Sequence, residues 1–201
     1  MSLRENKKER TRMALRAAAF RLFGSQGFDA TTVDEIAAAA GVSRTTFFRY
    51  FPAKEDVVFG RSREIGAVFR RWIAERPKED NPLEAFEGAL LAIARETRAN
   101  PDLARESLEM RALLERNPAL KRRYAEHTQE QMTLIAEALA ERDGRPVDVE
   151  HRLAAGIGLL VSEETREHWH KGGATEDAEE LLRDVFRKLR TLTERRRRAT
   201  D

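Results

Sequence analysis

The sequence predicts an all-α protein of about nine helices, and three observations carry that expectation. No stretch sustains the period-two alternation that a strand requires. Asn-Pro occurs three times, at Asn81-Pro82, Asn100-Pro101 and Asn117-Pro118. Asn caps a helix start and Pro suits its first turn, so each pair reads as a beginning. Apolar residues recur at i, i+3, i+4 and i+7 in the first helix and in the last two, the spacing of a single helical face. The helices fall at roughly 8–25, 33–40, 44–51, 54–76, 82–98, 101–115, 118–142, 149–171 and 176–196. Gly41, Asp143-Gly144 and Gly172-Gly173 supply turns and stops between them.

In the first helix Leu15, Ala18, Ala19, Leu22 and Phe23 form one apolar stripe. Gly27 suits the left-handed residue of its C-cap, and Phe28 beyond it can fold back on Phe23. The second helix opens on TVDE, where Thr32 caps the amide of Glu35 and Glu35 reaches back, a reciprocal box worth ~1 kcal/mol. Val33, Ile36, Ala37 and Ala40 are its inner face. Gly41 turns the chain, Ser43 caps a third helix, and Pro52 disfavours helix at the residue before it. Two short helices joined by a glycine-containing turn and braced by a longer one describe a helix-turn-helix. An ordinary αα-hairpin satisfies the same spacing.

The third helix carries Phe47, Phe48, Tyr50 and Phe51 within five positions. At about 100° per residue Phe47 and Phe51 lie within about 40° of each other and form a core anchor. Measured from their mean, Phe48 points about 80° away, Thr45 about 140° and Arg49 about 180°. Arg44 is long enough to carry its guanidinium outward along its stem. A Phe on the outer side beside Arg and Thr suits a DNA major groove, where rings meet thymine methyls and guanidinium reaches guanine O6/N7. Ser43 and the free amides at the helix start suit a phosphate. The alternative is that Phe48 packs beneath the following helix and the arginines are merely solvated.

Composition bounds the remaining possibilities. The 201 residues contain 41% hydrophobic and 36% charged residues, which suits amphipathic helices with solvated outer faces. There is no cysteine, so disulfides, zinc-thiolate sites and thiol nucleophiles are excluded. The basic start MSLRENKKERTR is not followed by the apolar block of a signal peptide. The longest uncharged run, LAAGIGLLVS at 153–162, is short of the ~18 residues a membrane-spanning helix requires. The expectation is a cytoplasmic chain with no membrane segment. Net charge is only +2, but residues 1–56 hold 10 Lys+Arg against 7 Asp+Glu, and residues 187–201 hold 7 against 2. A basic start ahead of an acidic middle points to a polyanion met by the first fifty residues.

Roughly residues 10–57, and above all the run AAAFRLFGSQGFDATTVDEIAAAAGVSRTTFFRYFPAKEDV, resemble the DNA-binding region of the TetR family of bacterial transcriptional regulators. Beyond about residue 60 the resemblance is architectural. It implies an N-terminal three-helix helix-turn-helix domain at 1–53 and a larger helical domain at 54–201 for effector binding and dimerisation. The implied function is a repressor that binds a palindromic double-stranded DNA operator as a homodimer and is released by a small, hydrophobic effector. Two recognition helices on a two-fold axis read half-sites about 34–36 Å apart, or a multiple of that turn. Carried over by motif position, Thr45 and Phe48 take base-contacting places. Ser43, Arg44, Thr46, Arg49, Tyr50 and Lys54 take phosphate or groove-edge places, with Thr32 a further phosphate candidate. Relatives often carry a small residue in place of Thr45, Tyr in place of Phe48 and His in place of Tyr50, so base preference does not transfer. No cofactor and no metal is implied.

Leu153, Ala154, Ile157, Leu160 and Val161 make one stripe, and Ala178, Leu181, Leu182, Val185, Phe186, Leu189 and Leu192 another. The resemblance implies that these two helices meet their symmetry mates; periodicity alone equally allows an intramolecular core. An effector pocket is expected among helices 82–142 with help from 149–171. Its candidate lining is Phe86, Leu90, Ile93, Met110, Leu113, Leu114, Tyr124, Met132, Ile135 and Trp169, with Arg111, His127 and Glu163 as polar anchors. Each reads as ordinary core before it reads as a ligand contact, and the polar anchors carry less weight still. TFFRYFPAKEDV with LLERNPALKRRY resembles an actinobacterial-type subgroup of the family, some of whose members answer to acyl-CoA-like or other hydrophobic ligands. The RRRR run at 195–198 suits either DNA contact or a solvated terminus.

Catalysis is not expected. His168 and His170 are two apart and do not share a helix face, and Glu164–His168 is a common surface pair at i, i+4. His127 and His151 stand alone, and no GxSxG, phosphate-binding loop or GxGxxG occurs. The remaining alternative is a helical small-molecule-binding or scaffold protein without operator-specific DNA binding.

Overall fold

The computed structural model describes residues 3–99, 101–173 and 175–194. Among them are nine helices: α1 Leu3–Gln26, α2 Val33–Ala39, α3 Arg44–Tyr50, α4 Lys54–Ala74, α5 Pro82–Arg98, α6 Pro101–Arg116, α7 Pro118–Asp143, α8 Val149–Lys171 and α9 Ala178–Glu194. None is long and apolar enough to cross a membrane. Asn100 and the Arg run at 195–198 lie outside the described residues. α1 begins at Leu3, five residues before the expected start at 8, because its polar opening residues carry no apolar stripe to mark it.

Local chemistry sets most of the boundaries. Asn81 and Asn117 each accept two amides of the helix that follows: Leu83 and Glu84 for α5, Ala119 and Leu120 for α7. Asp148 caps α8 in the same way, through Glu150 and His151. Gly27 at φ 88° ends α1 by donating to Phe23 O, and Phe28 folds back on Phe23 in a tilted pair with centroids 4.9 Å apart. Only glycine holds that left-handed angle without strain.

The chain divides into two compact units, residues 1–64 with 107–127, and residues 65–106 with 128–201. The expected division at 53/54 did not include a return of the chain to the first unit. That unit is built on Leu15, Ala18, Ala19 and Phe23 of α1, Ile36 and Ala37 of α2, Phe47 and Phe51, and Val57, Val58 and Phe59 of α4. Leu120 of α7, fully buried, completes the same core. Each large side chain sealed in this way contributes roughly 1.5–3 kcal/mol.

In the second unit α5, α8 and α9 pack pairwise. Phe69 and Ile73 of α4 and Ile135 and Leu139 of α7 join the core they make. Gly158 of α8 allows a close approach: a Cβ there would run into Cδ1 of Phe86, which is fully buried. Three residues expected at a dimer face are instead part of this core. Val161, Leu182 and Phe186 are buried against α5 and α8–α9 neighbours, and Ile157, Val185 and Leu189 pack at its edge. Leu153 and Leu160 are 57% and 61% exposed, as is most of Val149. The apolar arc of α8 is therefore two faces: 154, 158, 161 and 165 point inward, whereas 149, 153 and 160 do not.

His151 is structural. Its ring is fully buried, Nδ1 accepts the Asp148 amide at 3.2 Å and Nε2 meets Asp143 Oδ2 at 3.2 Å, closing the α7–α8 turn.

Candidate nucleic-acid interface

The outer face of α3 is the feature that the first unit builds with most care. Ser43 caps the helix by accepting Thr46 N at 3.1 Å, and its hydroxyl shares a second bond with the Thr46 hydroxyl at 3.0 Å. Phe47 and Phe51 fill the core, with ring centroids 5.8 Å apart. Phe48 turns outward, 42% exposed, its ring meeting the edge of Phe47 at 5.4 Å. Thr45 and Arg49 are exposed on the same side. A large ring left in water without a partner costs apolar exposure that a packed helix would otherwise avoid.

Arg44 is not merely solvated. Its Nη1 donates to Asp34 Oδ2 at 2.6 Å, and its guanidinium lies 5.3 Å from the Phe48 centroid. Asp34 stands in the first turn of α2, so the pair bridges the two helices of the motif at its outer edge. Arg49 lies over the Tyr50 ring at 5.4 Å, and Tyr50 itself is half-buried against the core.

Two expected phosphate contacts have other work. Lys54 donates to the carbonyls of Phe28 and Thr31 at 2.7 and 2.8 Å and sits 4.3 Å over the Phe28 ring. It braces the α1–α2 turn rather than standing free at the groove edge. Thr32 is the N-cap of α2, with its hydroxyl both accepting Glu35 N at 3.2 Å and donating to Glu35 Oε2 at 2.8 Å. The Glu35 carboxylate also accepts the Thr32 amide and Gln26. The Thr32 amide above all, then the Thr32 hydroxyl and Gln26, hold its carboxyl below the ordinary value of 4.5.

The residues expected to share one effector pocket fall in both units. Met110, Leu113, Leu114 and Tyr124 pack on the core of the first, where Tyr124 and His127 lie 6.0 and 5.9 Å from the Phe59 ring. Arg111 pairs with Glu115 at 2.8 Å on the same helix. Phe86 and Leu90 are buried in the second, with Ile93 and Met132 at its margin. Trp169 is buried and donates Nε1 to Glu176 O at 2.8 Å, tying the α8–α9 turn. The first unit contains a cavity of about 480 Å³ between the end of α1 and the end of α6; of the expected lining residues Leu113 reaches it.

Asp34 was not anticipated among the site residues, and neither was the cavity. The signal for Asp34 is present in retrospect: it and Arg44 occupy first-turn positions of consecutive helices separated by a tight turn.

A short capped helix that presents Phe48, Thr45 and two arginines, braced by α1 and α2, defines a helix-turn-helix DNA-binding protein. The comparisons agree. Residues 15–59 match the family described as bacterial regulatory proteins, tetR family, and residues 80–194 match the MftR C-terminal domain. The HTH-type transcriptional regulator TcmR of Streptomyces glaucescens is 35% identical over 172 residues, covering 81% of this chain and 76% of that protein. The nucleoid occlusion factor SlmA of Haemophilus ducreyi is 30% identical over 159 residues, 77% of each. A crystal structure of Thermus thermophilus FadR with lauroyl-CoA superposes with a TM-score of 0.53 at 26% identity, covering 88% of this chain and 91% of that one. The chain belongs to the TetR family: it is a DNA-binding transcriptional regulator and not an enzyme.

Proposed function

We propose that the chain is a ligand-responsive repressor that binds a palindromic operator as a homodimer and leaves it when a small hydrophobic effector is bound. The observation that carries the reading is the outward Phe48 with Arg44 and Thr45 beside it on α3. Phe48 meets a thymine methyl, Arg44 a guanine, and the hydroxyls of Ser43, Thr45 and Thr46 take bases or phosphates.

Dimerisation is supported by Val149, Leu153 and Leu160, which line one exposed side of α8, and by Leu192, exposed on α9. Apolar side chains at that spacing on an outer face favour a partner. The two-fold partner supplies the second recognition helix that a palindrome needs. The hydrophobic effector is supported by the likeness to FadR, whose structure holds lauroyl-CoA. Whatever the molecule, it must bind the form unable to hold DNA more tightly than the form that can.

Genome-wide selection of duplexes bound by the purified protein tests the reading. A two-fold symmetric site with half-sites about one helical turn apart, or a multiple of it, supports it. An asymmetric site, or no enrichment at all, counts against it. Leu153→Glu with Leu160→Glu is expected to yield a monomer by sedimentation that binds the selected site at least tenfold more weakly.

A further inference from the structure

We infer that the cleft between the end of α1 and the end of α6 is a binding site for an uncharged aromatic molecule, which loosens a strut to the helix-turn-helix when it enters. The cavity, about 480 Å³, lies wholly within the first unit and falls in the size range of small-molecule sites. Its floor is aromatic: Phe20, Phe23 and Phe28, with Ala112 and Leu113 of α6 opposite. Phe20–Phe23 and Phe23–Phe28 already meet in edge and tilted pairs, so a further ring extends an existing cluster.

Charge excludes ions as favoured occupants. Asp29 and Glu109 line the cleft with Arg116. Lys54 stands 4.3 Å from the Phe28 centroid, and the Arg16 guanidinium 5.7 Å from that of Phe20. Both signs are present around the rings, so an ion of either sign would meet repulsion as well as attraction there and would still have to shed its hydration. A neutral aromatic sheds little and gains the floor.

The strut is Asn117. Its Oδ1 caps α7 through Ala119 and Leu120, while Nδ2 donates to Asp29 Oδ1 at 3.3 Å. Asp29 lies in the α1–α2 turn, three residues before the Thr32 cap of α2. Both Asn117 and Asp29 line the cleft, so a molecule seated there presses on the bond between them. The site itself is independent of the repressor reading; its effect on DNA rests on that reading.

Gly24 makes the test clean. It lines the cleft from within α1, and a Cβ built on it meets nothing within 4 Å, so Gly24→Leu fills the space without backbone strain and favours the helix. The probes are N-phenyl-1-naphthylamine, which is neutral, and 1-anilinonaphthalene-8-sulfonate, a closely related skeleton bearing an anionic group, titrated into the full-length protein by fluorescence. The neutral dye is expected to saturate at one per chain. The sulfonate should bind at least tenfold more weakly, and Gly24→Leu should weaken the neutral dye at least tenfold with no fall in melting temperature. Ala112→Phe, blocking from the opposite wall, should act in the same way. Neutral-dye binding indifferent to both variants overturns the site, and equal affinity for the two dyes overturns its chemistry. Bound dye should weaken binding to the selected operator in the wild type but not in Gly24→Leu; an operator affinity unmoved by saturating dye overturns the strut. A protein that binds no DNA even without dye counts against the repressor reading, whereas the titrations still decide the cleft.

Discussion

Replacing Asp34 by Ala separates a recognition role from a stabilising one. The Asp34–Arg44 pair is 2.6 Å long, but its side chains are 63% and 60% exposed. An ion pair so open to water contributes about 0–1 kcal/mol to stability. An acid in the first turn of α2 adds about 0.3–1 kcal/mol against the helix dipole. The melting temperature should therefore fall by only a few degrees, at about 2–4 °C per kcal/mol for a chain of this size. On DNA two effects oppose each other. Removing a carboxylate from the binding face raises affinity for any duplex, because less negative charge meets the phosphates. Arg44, released from Asp34, loses the restraint that holds its guanidinium over Phe48. A bidentate arginine–guanine contact discriminates by about 1–3 kcal/mol. Losing about 1 kcal/mol of that lowers the ratio of specific to non-specific binding by roughly fivefold. Fluorescence anisotropy on the selected operator and on a scrambled duplex, across a salt series, measures both. The expected result is a tighter scrambled complex with a smaller ratio, and Asp34→Asn, which keeps an acceptor for Arg44, restores most of the ratio. Parallel loss on both duplexes would refute the positioning role.

Three further outcomes are expected. Phe48→Ala should lower operator affinity by about 1–2 kcal/mol through lost apolar contact, while leaving the melting temperature within a few degrees because the ring is half in water; a large thermal loss would mean that it serves the core. Gly158→Ala drives a methyl into Phe86, so overpacking of about 3 kcal/mol outweighs a helical gain of about 1 kcal/mol; Gly66→Ala, whose Cβ meets Leu134 Cδ1 at an ordinary 3.6 Å, should not destabilise, and equal melting temperatures for the two variants would contradict the close approach. Glu35, with its carboxyl held down by the Thr32 amide, contributes stability that is present above its ordinary 4.5 and is lost as pH falls through its lowered value; Glu35→Gln should flatten the acid limb of a melting-temperature profile, and an unchanged limb would deny the capping box that role.

The parts of this molecule that were legible in its sequence are those written in adjacent residues. Thr32 with Glu35, Asn81 with Glu84 and Ser43 with Thr46 are each a local bargain between an orphan backbone amide and a side chain three positions away, while Gly27 closes its amide on Phe23 O and lets Phe28 return to the Phe23 ring. The orientation of Phe47, Phe48 and Phe51 follows from helical geometry alone. What periodicity does not contain is a partner far along the chain. Lys54 reaches carbonyls 26 and 23 residues earlier, and nothing in its neighbourhood reveals this. Leu153 and Val161 belong to one apolar arc, yet one is exposed and the other buried, because the turn of the helix against α5 and α9 divides the arc. The cleft between α1 and α6 arises only when segment 107–127 returns to the first unit.

That return has a consequence for how the protein is made. Leu120 is sealed among the rings and aliphatic groups of the first sixty residues. A nascent chain paused after the helix-turn-helix would hold every group proposed to touch an operator, yet lack the plug that closes the hydrophobic centre behind them. The gene-reading part of the molecule therefore reaches its finished form only once the chain has emerged as far as Leu120.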